Sequence, residues 1–343
     1  MPLLLVLFAA VCFGTTGTAQ ALGAPEVSAF LLGAARLAVG GTLLGAWALV
    51  AAQRRRRVRA FVPGTAQLVH TRGAGRASLG LVALGALGVL LYQPLFFAGT
   101  AGSGVAVGTV LALGSAPVLT GLLQWALERR FPGLSWGVAT AIAVLGVALI
   151  AAAGSGGAGG AQLGGIAASI GAGASYSLYT LSAKALMNRG WSSDATMGTV
   201  FGVAGVVSIP LLLASGAEWM LTPAGLATAA WLGLVTTTIA YLCFGAGLAR
   251  LQAATVSTLT LAEPLTASIL GLLLLREQLQ TLESFGLAVL AAGIVVLVLG
   301  STGALRRGPK AARSGAARSA AGRSAPSERL PAHPAAPDAG RER

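Results

Sequence analysis

Charge, histidine, cysteine and aromatic residues are all scarce in these 343 residues, and each scarcity removes a class of function. Only 10% of the chain is charged and 55% is apolar, with a mean hydropathy of +0.79. An ordinary soluble domain is not this apolar. The two histidines, His70 and His333, lie outside every apolar stretch, so neither a histidine proton relay nor a histidine metal site is expected in a membrane. The two cysteines, Cys12 and Cys243, each fall inside an apolar run. A thiol there behaves as a small apolar side chain, and no disulfide framework is implied. The sequence also lacks a Ser/His/Asp or Cys/His set, a metal-ligand cluster, paired mid-membrane carboxylates and a GxxxxGK[ST] loop. An enzyme, a bound cofactor or metal, and ATP-driven transport by this chain alone are therefore not expected.

What is present is a series of apolar runs. Windows of about 20 residues mark ten spans, near 3–20, 27–51, 78–99, 103–127, 134–153, 164–187, 195–214, 224–247, 253–275 and 283–300. The expected fold class is an all-α integral membrane protein of ten transmembrane helices. The formal charge of +13 has a place in that plan. With both termini cytoplasmic, 21 of the 23 Lys and Arg residues fall on one side, and the exceptions are Arg36 and Arg276. Loops on the other side carry Glu26, Glu218, Glu277 and Glu283. This asymmetry follows the positive-inside rule. The basic segment with Arg54 to Arg59, and the tail, are expected to lie against anionic lipid headgroups, which accounts for the basicity without nucleic acid. The first span ends in small residues near Ala19 to Ala21, as a signal peptide does, but it has a counterpart later in the chain. Its missing basic lead points to an initiator a few residues upstream.

The run Thr255–Glu277 is broken near its middle by Glu263 and Pro264. Pro264 removes a backbone donor and kinks a helix. A carboxylate at mid-membrane costs on the order of 3 kcal/mol and must face protein or a water-filled cavity. This span is expected to line a cavity. Arg36 lies about ten residues, or roughly 15 Å, into the second span; it reads as a structural arginine on backbone carbonyls, as a partner of Glu263, or as a ligand contact. Tyr92 and Gln93 in span three, Tyr176 in span six, Thr237 and Tyr241 in span eight and Thr260 in span nine are further polar groups expected on a substrate path. Pro117 marks a second mid-span kink, and Gln124 needs an internal partner. Ser169, Gly173, Tyr176, Thr180 and Lys184 share one helix face, which suits a cavity lining or a polar helix interface equally.

The two halves match at a shift of about 148 residues, with Gly85 on Gly233, Phe96 on Phe244, Gly99 on Gly247, Pro117 on Pro264 and, after a two-residue gap, Glu128 on Glu277. Five spans per half turn the second copy upside down, a construction of secondary transporters. The expected division is a first repeat at 1–153, a Gly-rich external linker at 154–163, a second repeat at 164–300 and a disordered basic cytoplasmic tail at 301–343. On Phe13-Gly14, Arg36, Tyr92-Gln93, Phe96-Phe97, Ala116-Pro117, Tyr176, Tyr179, Lys184, Tyr241, Glu263-Pro264 and Arg276-Glu277, the sequence resembles the drug/metabolite transporter superfamily, ten-helix members with two EamA domains. Departures lie in the first half: alanine precedes its proline, and Phe13 stands where tryptophan is frequent. The resemblance implies a plasma-membrane carrier in which spans 1–4 and 6–9 surround a central cavity. It also implies export of small metabolites or drugs by alternating access. Import, or a non-transporting interaction role of the same fold, is the alternative. Glu263 reads either as a proton carrier, giving proton or solute counter-transport, or as a fixed partner of Arg36.

Overall fold

The computed structural model describes residues 1–60, 75–154, 162–276 and 278–307. Among the described residues there is no strand. The helices are α1 (Pro2–Gly23), α2 (Ala29–Arg36), α3 (Thr42–Ala60), α4 (Arg76–Ser103), α5 (Val105–Glu128), α6 (Leu134–Gly154), α7 (Leu163–Asn188), α8 (Ser193–Ser215), α9 (Pro223–Gly233), α10 (Ala240–Leu248), α11 (Ala253–Leu259), α12 (Ala262–Leu274) and α13 (Thr281–Arg307). A π-helical segment, Leu37–Gly41, joins α2 to α3, and a second, Leu234–Ile239, joins α9 to α10. With α11 and α12 as another interrupted pair, the thirteen helices make ten crossings, five before the glycine-rich segment and five after it. Among the described residues, nine are long and apolar enough to span a membrane. The tenth, α7, is 26 residues long, but its serines, glycines and tyrosines dilute its hydropathy. Met1–Gly300 forms one compact unit, and Ser301–Arg343 a second that is described only as far as Arg307.

Helices suit this composition because lipid offers no partner to a free backbone group, so each crossing must satisfy its own N–H and C=O groups. Ends are closed locally. The Ser28 hydroxyl accepts the Leu31 N–H at 3.3 Å at the start of α2, and Thr222 accepts the Gly225 N–H at 3.0 Å at the start of α9. Between α4 and α5 the chain reverses on one residue, Gly104, at φ 82, a backbone shape that a side chain would disfavour. The outer helices α6 and α13 touch backbone to backbone: a Cβ placed on Gly293 would lie 2.6 Å from the Ala143 nitrogen. Small residues permit such contact where no water drives helices together.

Several expectations are corrected here. Arg54 to Arg59 lie on a helix, because α3 continues to Ala60 instead of giving way to a loop at residue 52; residues 61–74 lie outside the described part. The linker reading falls mostly on 155–161, and the tail reading mostly on 308–343, again outside it; residues 301–307 are helical. The repeat needs no gap at its fourth helix. Arg129 and Arg276 both adopt φ 55 at the ends of α5 and α12, and they are 147 residues apart, the same offset as Pro117 and Pro264. The matching pair is thus Arg129 with Arg276, and Glu277 is outside the described residues. Pro117 lies inside one uninterrupted helix, α5, whereas the chain breaks just ahead of Pro264.

Contacts at the helix ends define two sides. Gly247 at the end of α10 lies against Pro2 and Val6 at the start of α1, and Gly23 at the end of α1 lies against Ala224 and Thr228 at the start of α9. The side of the α1 start also holds the Arg55–Asp194 ion pair at 2.7 Å.

Candidate functional site

The site begins with the break in the ninth crossing. Pro264 has no N–H to give to the Thr260 carbonyl, and that carbonyl takes the Glu263 N–H instead, at 2.9 Å. The Leu261 N–H likewise turns back only three residues, to Thr258 O at 3.1 Å. The helix tightens, stops at Thr260–Leu261 and restarts at Ala262, placing Glu263 in the first turn of α12. Thr260 Oγ1 donates to Ser257 O at 2.8 Å. Its remaining contact, with Tyr176 Oη at 3.0 Å, therefore has tyrosine as the donor.

Arg36 is positioned by the two π segments. It ends α2, and its Nε donates to Thr237 Oγ1 at 3.2 Å while Nη2 donates to the Thr236 carbonyl at 3.3 Å. A π turn widens the helix and misplaces its carbonyls relative to the usual donors; here threonine hydroxyls serve them. Thr237 Oγ1 donates to Leu232 O at 2.9 Å, and Thr238 Oγ1 donates to Gly233 O at 3.0 Å. Because Thr237 spends its proton on Leu232, its oxygen lone pairs are left for the guanidinium. The Arg36 guanidinium also stands 5.6 Å from the centroid of the Phe13 ring, in cation–π range.

Around these groups lie two chambers. An inner one of about 60 Å³ is lined by Phe13, Arg36, Leu37, Val89, Tyr92, Gln93, Tyr176, Tyr179, Phe201, Tyr241, Thr260 and Glu263. A larger one of about 320 Å³ extends past Thr16, Gln20, Phe96, Phe97 and Ala29, toward the side where α1 ends and α2 begins. Both share Arg36, Tyr92, Gln93 and Glu263. Toward the opposite side the inner chamber meets packed rings: Tyr241 lies 3.8 Å from Phe201 and 5.0 Å from Phe13 between centroids, with Tyr179 and Phe244 beside it. Beyond those rings Lys184 donates to the carbonyls of Leu248 and Leu251, both at 2.8 Å, closing the corner between α10 and α11.

Of the eight residues expected on a substrate path, seven line the inner chamber together, and Thr237 is fully buried behind Arg36 as its hydrogen-bond partner. Arg36 and Glu263 share the cavity without an ion pair; among the described residues the ion pair within 4.0 Å is Arg55–Asp194. The face of α7 divides. Tyr176 lines the chamber, Ser169 and Gly173 pack against Gly99 and Ser115, and Lys184 caps a neighbouring helix. Sequence reasoning missed Phe201, which nothing distinguishes within its apolar run, and Gln20, whose polarity near the end of the first span was a usable signal.

Residues 1–152 and 163–299 each match the EamA-like transporter family. An uncharacterized transporter of Bacillus subtilis (strain 168), YwfM, is 38% identical over 296 residues, covering 86% of this chain and 92% of the relative. A solved crystal structure at 18% identity superposes with a TM-score of 0.66, covering 87% of this chain and 97% of the other, a likeness of fold. Two family matches, one on each five-helix half, and a relative aligned over nearly its whole length lead to one assignment: the chain belongs to the EamA-like transporter family and is a multi-pass membrane transporter.

Proposed function

We propose that this transporter is a secondary carrier that exports small zwitterionic or amphipathic metabolites, or drugs of that character, by alternating access. The observation that carries the reading is the pair Arg36 and Glu263, which face one cavity and leave each other unpaired. A cation and an acid held in this way offer one site to a carboxylate and another to an ammonium group, with the phenols of Tyr92 and Tyr176 and the amide of Gln93 around them. Burial strengthens such contacts relative to water. Among the described residues lining the cavity, a polyanion would find one cation, Arg36.

Alternating access needs a conformer open to one side. The larger chamber reaches toward the α1–α2 side, while rings and the Lys184 clasp fill the other. With the arginines of α3 placed in the cytoplasm by the positive-inside rule, this conformer faces outward in the plasma membrane, with both termini inside. Rocking one half against the other would transfer the opening to the cytoplasmic face.

The test is transport in inside-out vesicles across a panel of amino acids, amphipathic amines, polyanions and neutral sugars. Accumulation of zwitterions, lost in Arg36→Gln, supports the reading; accumulation only of polyanions or neutral sugars refutes it. Right-side-out vesicles that accumulate the same solute under the same gradient would assign import instead. Proton counter-transport through Glu263 is tested on the same assay: Glu263→Gln with undiminished pH-gradient-driven transport would remove that role.

A further inference from the structure

A third cavity lies beside the first two and has a different character. It occupies about 210 Å³ between α5, α6 and α12, and its walls include Thr109, Leu113, Val147, Ile150, Ala151 and Pro264. Thr109 is the sole hydroxyl there; the other walls are aliphatic. Two features tie it to the substrate cavity. Leu113 lines both this space and the larger polar chamber, so the two adjoin at that side chain. Pro264 lines it, and its neighbour Glu263 lines both polar chambers. Away from Leu113 the space runs to Val105, the 74% exposed first residue of α5 beside the Gly104 turn.

We propose that this space is an apolar arm of the transport site, which receives the hydrocarbon tail of an amphipathic substrate whose charged head lies between Arg36 and Glu263. The inference rests on the zwitterion reading above and adds the shape of the substrate to it. A head held at Glu263 is one residue from Pro264, so a tail leaving the head on that side passes Leu113 and enters the arm. The arm adds affinity in proportion to the apolar surface it covers, and each buried CH₂ contributes about 0.8 kcal/mol, or about fourfold in binding.

The experiment is titration calorimetry on the full chain in phosphatidylcholine nanodiscs with linear 2-amino acids from alanine to 2-aminodecanoate. The expected result is a Kd that falls about threefold to fourfold per methylene and then levels off as the arm fills. In Thr109→Phe and Ala151→Phe, both outside the polar chambers, alanine should bind as in the parent while the gain with chain length disappears. Binding of alanine in each variant reports that it is folded. Alanine binding with no gain along the series in the parent, or a gain that survives in both variants, overturns the arm and leaves the zwitterion site standing. Failure of every member of the series to bind the parent overturns the zwitterion reading and the arm with it. Competition by added phosphatidylglycerol that abolishes the gain assigns the space to lipid acyl chains and overturns the proposal.

Discussion

The side-chain carbonyl of Gln124 on α5 accepts the backbone N–H of Ala254 at 2.9 Å, and so caps the start of α11 from the other half of the molecule. Its amide nitrogen donates in turn to Glu128 Oε2 at 3.0 Å. Gln124 is 2% exposed, so no water replaces it. Gln124→Leu keeps the bulk and leaves a buried donor unmet, a loss of about 1–3 kcal/mol. Thermal unfolding of the purified chain should show a clear fall in midpoint for Gln124→Leu and none for Leu123→Met on the exposed neighbour.

Thr237 holds Arg36 rather than touching the chamber, so its effect on transport should pass through the guanidinium. Thr237→Val preserves shape and removes the acceptor for Nε as well as the donor to Leu232. Hydrogen bonds to charged groups contribute about 1.5–3 kcal/mol, and the second bond to the Thr236 carbonyl remains. The expected result is substrate affinity reduced by about tenfold, the low end of that range. Initial transport rates against substrate concentration separate the outcomes: a higher KM with an unchanged maximal rate fits a misplaced Arg36, and unchanged kinetics would show that Arg36 is held by other contacts.

The sequence carried the ten crossings, the two halves and the gathering of polar groups at Glu263, because charge and hydropathy are costly to misplace in lipid and so leave a strong pattern. It did not carry the two π segments. Widened turns at Leu37–Gly41 and Leu234–Ile239 coincide with the place where Arg36 meets Thr236 and Thr237 across about 200 residues, and no local pattern encodes that meeting. The same holds for Gln124 and Lys184, which were visible as polar groups in need of partners but whose partners are the backbone ends of other helices. Phe201 entered the chamber by tertiary packing alone. The misplaced gap in the repeat came from matching Glu128 with Glu277 by residue type, where backbone shape pairs Arg129 with Arg276.

Pro264 separates stability from transport. In Pro264→Ala an N–H becomes available to the Thr260 carbonyl, and the tight turn at Thr260–Leu261 can relax into a continuous helix that gains this intrahelical bond. Straightening would move Thr260 away from Tyr176, to which it is joined at 3.0 Å, and would re-aim Glu263. The expected outcome is an unfolding midpoint equal to or above that of the parent together with a transport rate lowered at least tenfold. Normal transport in Pro264→Ala would show that the break does not shape the site.

Arg129 and Arg276 supply a test of the left-handed helix endings that the two halves share. Each ends its helix in the left-handed region at φ 55, which costs an L-residue about 1–2 kcal/mol. Glycine avoids that cost and is the preferred residue at this position after a helix, although its greater freedom in the unfolded chain offsets about 0.5–1 kcal/mol. The difference favours glycine by about 0.5–1 kcal/mol at each site. Arg129→Gly and Arg276→Gly should therefore each raise the unfolding midpoint slightly, and the double variant should show the sum, since changes at the ends of two different helices that share no partner add. A midpoint that falls at either position would show that the left-handed ending carries no cost there for glycine to relieve.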